Sequence, residues 1–390
     1  MIIRRILSYV AAFLLTSSIC AAAPGWAVHE LYQFKEGAAH SLDPQCLGYV
    51  GHGVLMGVLA DSQFSSSAAL FRFNVRSHKI NFLPLIGSSF NDLEAPSPGC
   101  LLVNGGNGME YILDGAALYA YNLKTNSVSK TGSLARLFKK GFWPVAMVRL
   151  YNGVLSILVN DINRPTQDQR YDLFAFDART GQLVMQMTFP DTGTFSDAPG
   201  APNSLVVDGH GIEYAATMGG LYQSPTMTQT NEGMLFEINQ KTYKTKDAVI
   251  FGPPTSMSDP SRLVVGPDGV IYGAVADSIR NGWALFYWNP TTGQGSAAIG
   301  IPGVRDGSVS NLVYAGGHYI LGTISLSSTT ASNIFVYDTA SHQAQLIYRS
   351  PLGKTTPKGA FVAGPDGQAY GIWRASSKNR GGSLFEVSPQ

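Results

Sequence analysis

From about residue 28 to the C-terminus, short apolar runs alternate with clusters of Gly, Asn, Asp and Pro. The runs are rich in β-branched and aromatic residues, which favour strands, and none carries its apolar residues at helical spacing. One pattern recurs: an apolar residue, an aromatic, a variable residue, an apolar or aromatic one, then usually Asn or Asp. It appears as Leu70-Phe71-Arg72-Phe73-Asn74, Leu118-Tyr119-Ala120-Tyr121-Asn122, Leu173-Phe174-Ala175-Phe176-Asp177 and Leu235-Phe236-Glu237-Ile238-Asn239. It returns as Leu285-Phe286-Tyr287-Trp288-Asn289, Ile334-Phe335-Val336-Tyr337-Asp338 and Leu384-Phe385-Glu386-Val387-Ser388. The seven copies are 48, 55, 62, 50, 49 and 50 residues apart.

Before each copy stand two apolar runs joined by a tight turn, as in Leu263–Gly273 around Pro267-Asp268-Gly269 and Phe361–Gly371 around Pro365-Asp366-Gly367. Asp-Gly and Asn-Gly supply the positive φ that hairpin turns demand. After each copy the terminal Asn or Asp can close an Asx-turn, and a fourth run follows, as in Gln182–Phe189. Four short strands per repeat, seven times over, predict an all-β fold: a seven-bladed β-propeller. A solenoid is the alternative, but it needs caps. Here the last repeat stops at Gln390 after its third strand, while His29–Gly37 resembles a fourth strand. The N-terminal strand is therefore expected to complete the last blade and close the ring, leaving no free sheet edge.

The motif Gly-Pro-Asp-Gly-x-x-Tyr-Gly, followed by a loop and Gly-x-Leu-Phe, resembles the GloVer-type tandem repeats of secreted bacterial proteins. The match is best over residues 266–290 and 364–389. Leu173–Gly181 also resembles one repeat of quinoprotein (YVTN-like) propellers. The resemblance implies a propeller over the whole mature chain and carries no activity, since propellers host unrelated functions.

Composition places the fold in a compartment. Arg4 and Arg5 precede an apolar stretch from Ile6 to about Ala23, and small residues follow in Ala21–Ala23 and Gly25–Ala27. Residues 1–27 read as a cleaved signal peptide, with a membrane anchor as the alternative. Residues 28–390 then form a single domain, secreted or periplasmic, with no membrane span after cleavage. The chain carries 27 Lys+Arg against 26 Asp+Glu, so it lacks the basic footprint of a nucleic-acid binder. A monomer is expected. Of three cysteines, Cys46 and Cys100 remain after cleavage. The repeat register sets them at equivalent positions in neighbouring repeats, where a disulfide can form; two buried thiols are the alternative.

Propeller topology gathers the strand two–three loops and the inter-blade connections on one face, and these are the long, variable segments here. Many connections enter the inner strand through a proline, as in Asp43-Pro44-Gln45-Cys46 and Asp259-Pro260-Ser261-Arg262. Aligned on these motifs, the residues directed at the channel are Cys46, Cys100, Val145, Ser204, Arg262, Asn311 and Gly359. Asp43, Asp92, Glu94, Asp197, Asp259 and Asp306 stand just before them, so carboxylates gather at one rim. Oxygen ligands in that pattern suit Ca²⁺ or a polyol, although Asp before Pro or Ser is also ordinary turn chemistry. Arg262 is the unusual member, able to clamp a ligand carboxylate or to pair with Asp259 or Asp306.

Histidines are scattered. His52, His210 and His318 fall in one set of turns, His78 and His342 in another, and only His40 lies near the rim. No spacing suggests zinc, and no nucleophile elbow, P-loop or dinucleotide fingerprint occurs. No metal is assigned and no cofactor is predicted beyond the Ca²⁺ option. The first reading is therefore a non-catalytic binding protein taking a glycan, a cell-envelope fragment or a protein ligand on the loop-rich face. The second is an extracytoplasmic lyase or hydrolase acting on a sugar or lactone, with a metal or acid/base site among the rim carboxylates. The third is an envelope scaffold.

Overall fold

The computed structural model describes residues 25–34, 42–61, 68–84, 101–106, 108–114, 117–134, 142–150, 153–161, 170–188, 202–217, 233–251, 257–277, 282–301, 307–326, 331–350, 354–356, 360–375 and 382–390. They form seven antiparallel sheets, six of them made of four strands in sequence order, so the chain is an all-β seven-bladed propeller. The inner strands of blades one to six are Leu42–Gly51, Leu101–Gly106, Phe142–Arg149, Pro202–Val207, Met257–Val265 and Gly307–Gly316. In blade seven two pieces, Lys354–Thr355 and Phe361–Ala363, both pair with Ala369–Ala375 and share the inner position.

The ring closes as the repeat count requires. Trp26–Gln33 pairs antiparallel with Ser383–Pro389 and is the outer strand of blade seven. Its pairing slips by one residue opposite Leu384 and Phe385. Blades two, three, four and six slip at the same apolar–aromatic step, between Leu118 and Tyr119, Leu173 and Phe174, Leu235 and Phe236, and Ile334 and Phe335. The N-terminal strand is thus a fourth strand in register as well as in place. Trp26 and Ala27, read from the sequence as leader, already belong to it and pair with Pro389 and Ser388.

Apolar side chains fill the gaps between blades. Among the described residues seven buried clusters occur, one per gap. Cys46, Met56, Val58 and Leu70 of blade one meet Ile112, Tyr119 and Tyr121 of blade two. Across the closing gap, Phe34, Tyr370, Ile372 and Leu384 of blade seven meet Leu47, Leu55, Phe71 and Phe73 of blade one. Burying apolar area at roughly 25 cal/mol per Å² makes these gaps the main source of stability.

The recurring Tyr-Gly of the repeat motif has a packing cause. A Cβ on Gly371 would lie 2.1 Å from the Phe385 ring, and one on Gly273 would lie 2.4 Å from the Phe286 ring. The second strand gives up a side chain so that the third-strand Phe can lie across it. The Asx-turns also form: Asn74 Oδ1 accepts from the backbone N–H of Arg76 and Ser77, and Asn122, Asp177, Asn239, Asn289 and Asp338 cap their turns in the same way.

Candidate functional site

Five of the described inner strands share an irregularity at one level. Pairing with the second strand shifts between Pro44 and Cys46, Pro144 and Ala146, Pro202 and Ser204, and Val309 and Asn311. Blade five shifts twice, on either side of Ser261. Proline cannot donate to the ladder, and an extra residue here makes a bulge, which bends the strand and re-aims side chains. Blades one, three, four and five carry a proline at the shift, Pro44, Pro144, Pro202 and Pro260, blade six shifts without one, and the described inner strands of blades two and seven show no shift at this level.

Register corrects the sequence alignment at this level. Cys46 lies opposite Val58, Ser204 opposite Ala216 and Asn311 opposite Thr323, as aligned. In blades two, three and five, however, the equivalent residues are Leu101, Ala146 and Ser261, not Cys100, Val145 and Arg262. The number of residues between proline and ladder differs from blade to blade because the bulges differ.

The level is chemically lopsided. Blades one to three present Cys46, Leu101 and Ala146, whereas blades four to six present Ser204, Ser261 and Asn311. Polar bonds tie the second group across blades. Ser204 Oγ accepts from Leu263 N at 2.8 Å, and Arg262 Nε donates to Val309 O at 3.3 Å. Within blade six, Ser310 Oγ lies 2.8 Å from Thr323 Oγ1, and Asn311 Nδ2 donates to the same oxygen at 2.9 Å.

Arg262 is the anomaly of this arc. Among the described residues, six non-glycines have positive φ: His52, His78, Asn126, Tyr243, Arg262 and His342. The other five sit in or at the end of hairpin turns, and Arg262 alone lies inside a strand, at φ 54°. Left-handed backbone costs a residue with a Cβ about 1–2 kcal/mol. The side chain is half-buried, its Nη1 is buried without a hydrogen-bond partner, and burial holds its pKa down to about 10. Ser261 Oγ beside it is likewise buried without a partner.

Of the rim acids, Asp92, Glu94, Asp197 and Asp306 lie outside the described residues. Asp43 and Asp259 fall on the inner strands of blades one and five, with their side chains outside the described set. Those blades are not neighbours in the ring, so these two acids do not share a blade gap. Cys46 is buried and disulfide-bonded. Cys100, one residue ahead of the adjacent inner strand, lies outside the described residues. His52, His210 and His318 occupy strand one–two turns and His78 and His342 strand three–four turns, as read from the sequence. Among the described residues, no three His, Cys, Asp or Glu side chains converge to fit a metal. None of these residues forms a helix long and apolar enough to cross a membrane.

Two buried acids were missed. Glu110 and Glu213 occupy one column of the second strand, where the other blades carry Leu55, Leu155, Ile271, Ile320 and Ala369. Both are fully buried. Ser156 Oγ of blade three donates to Glu213 Oε1 at 2.6 Å, while Glu213 Oε2 and both Glu110 oxygens have no hydrogen-bond partner. Desolvation raises Glu110 to about 8 and Glu213 to about 7. They lie by the strand one–two turns, at the end of the blades away from the bulges.

No family model matches the chain, and no curated protein is recognisably similar in sequence. The fold is similar to that of an oligogalacturonate lyase from Vibrio parahaemolyticus, with TM-score 0.60 and 10% identity over 93% of this chain and 97% of that one. It is also similar to a polysaccharide lyase, with TM-score 0.58 and 11% identity over 92% of each chain. The β-propeller domain of the Trilobed protease from Pyrococcus furiosus matches at TM-score 0.52 and 11% identity, over 90% of this chain and 96% of that one. At such identities these likenesses establish the seven-bladed propeller and nothing finer.

Proposed function

We propose that the chain is an exported binding protein that holds a glycan at the bulged end of its channel, against the polar arc of blades four to six. The observation that supports this reading is the polar arc itself, where the bulged inner strands of blades four to six carry Ser204, Ser261 and Asn311 at the level that is apolar in blades one to three. Ser204, and the buried Ser261, Ser310 and Asn311 behind it, give this arc the hydroxyl and amide chemistry that recognises a polyol. Binding is tested by melting the mature protein with a panel of neutral and acidic oligosaccharides. A ligand at 100 times its Kd stabilises by about 2.7 kcal/mol and so raises the melting temperature by a few degrees. No shift with any saccharide would overturn the reading and leave a protein ligand or a scaffold role.

A sugar-active enzyme is the second reading, supported by the polysaccharide-cleaving propellers among the fold's neighbours. One such neighbour is an oligogalacturonate lyase in complex with manganese. In this chain a cation would fall to the rim acids Asp43, Asp92, Glu94, Asp197, Asp259 and Asp306. A Ca²⁺- or Mn²⁺-dependent melting shift, lost in Asp259→Ala, together with unsaturated product from oligogalacturonate, would establish it. Melting unchanged by either ion or by EDTA would remove the metal.

Export and the disulfide are read by one measurement, the intact mass of the protein recovered outside the inner membrane. We expect cleavage after Ala23, which preserves Trp26 in the closing strand, and a mass two hydrogens short for a Cys46–Cys100 bond. That bond would tie neighbouring inner strands and contribute roughly 4 kcal/mol by restricting the unfolded chain. Two titratable thiols would contradict it.

A further inference from the structure

We propose that Arg262 is a carboxylate receptor and that the glycan held at the mouth is therefore acidic, presenting a uronate or similar carboxylated sugar to blades five and six. This rests on the binding reading above and gives it a ligand class.

Three observations converge on it. The first is backbone strain. Arg262 is the one described non-glycine residue with left-handed backbone inside a strand, and it falls within the register shift between Ser261 and Val264. A strained conformation persists only when its surroundings impose it, and such residues cluster at ligand sites. The second is the unfilled valence. Nε is fixed on Val309 O of the next inner strand at 3.3 Å, which orients the plane of the guanidinium. Nη1 is buried with no hydrogen-bond partner. A desolvated guanidinium N–H without an acceptor is costly, and the group that best satisfies it is a carboxylate, which the planar fork can meet with two parallel bonds. The third is the neighbouring donor. Ser261 Oγ, the adjacent residue's hydroxyl, is also buried without a partner, while Ser204 Oγ is already engaged by Leu263 N. An orphaned guanidinium arm beside an orphaned hydroxyl suits an anionic oxygen pair better than a neutral hydroxyl.

The competing role for Arg262 is structural, as the partner of a rim acid, and the two roles make opposite demands on the backbone. Glycine adopts φ 54° without strain. If Arg262 is held for a ligand, Arg262→Gly keeps the melting temperature at or above that of the wild type and loses the preference for acid over ester. If it is held for a rim acid, Arg262→Gly lowers the melting temperature by several degrees and leaves ligand affinity unchanged, and the proposal falls.

The decisive experiment is calorimetric titration of the intact mature protein with trigalacturonate, with its fully methyl-esterified form and with a neutral trisaccharide. The wild type is expected to bind the acid at least ten-fold more tightly than the ester, with affinity falling as salt rises. Arg262→Gly and Arg262→Gln are expected to bind acid and ester alike, and Arg262→Lys to lie between. Equal affinity of the wild type for acid, ester and neutral sugar would overturn the carboxylate receptor and leave the glycan-binding mouth standing. Binding to none of the three would overturn both.

Discussion

Deleting Val28–Glu36 is expected to lower the melting temperature of the whole protein by roughly 15 °C or more and to leave a single cooperative transition or none. The segment supplies the outer strand of blade seven and ladders with Ser383–Pro389. Its side chains also reach both neighbouring blades. Phe34, almost fully buried, packs edge-on against Phe71 of blade one with ring centroids 5.2 Å apart, and Tyr32 meets Phe73 at 5.8 Å. On the other side Val28 packs against the buried cluster that holds Val313, Leu321 and Val336 of blade six. Glu30 adds an ion pair with Lys354 at 3.1 Å and accepts from Ser383 Oγ, both exposed enough to contribute little. Deletion would open the gap between blades seven and one and leave Ser383–Pro389 as an unpaired edge, which invites aggregation. An unchanged melting curve would show that the ring does not depend on this closure.

The second large effect is a gain. Glu110→Leu is expected to stabilise the protein at neutral pH by about 3 kcal/mol, raising the melting temperature by roughly 5 °C. Leucine is what blades one and three carry in the same column, as Leu55 and Leu155, so the volume fits. The pH dependence identifies the cause. Glu110 has a folded-state pKa of about 8 against an ordinary 4.5. Below pH 4.5 the proton is bound in both states and the acid costs nothing by ionisation. Between pH 4.5 and 8 the unfolded chain releases the proton while the folded chain keeps it, so the folded state binds more protons and stability falls as pH rises. Above pH 8 the loss levels off. The advantage of Glu110→Leu should therefore be small at pH 4.5 and grow up to pH 8. Parallel stability curves for wild type and variant across that range would mean that Glu110 is not a buried, unpaired acid.

How much was legible follows from the kind of signal each feature leaves. The Leu-Phe-x-Phe-Asn repeats and their Gly-rich turns disclose blade number and strand order, because each strand and each Asx-turn is written locally. Closure was legible because Gln390 ends one strand short and His29–Gly37 looks like the missing piece. Bulges leave no such mark. The proline motifs showed where the inner strands begin, but whether one or two residues loop out is settled by packing between blades, so the alignment placed Cys100, Val145 and Arg262 one residue out. Arg262 stood out as a lone cation, yet its left-handed backbone was hidden, since arginine, unlike glycine or asparagine, does not announce positive φ. Glu110 and Glu213 were within reach. Written in register with Leu55, Leu155 and Ile271, each is a charge in an apolar column.

The central claim is that the polar arc of blades four to six is where this protein meets its ligand. Hydrogen–deuterium exchange of the mature protein with and without a bound oligosaccharide addresses it most directly. The account predicts added protection in the inner strands Pro202–Val207, Met257–Val265 and Gly307–Gly316, with the strand one–two turns unchanged. Protection confined to those turns, or to the outer strands, would contradict it.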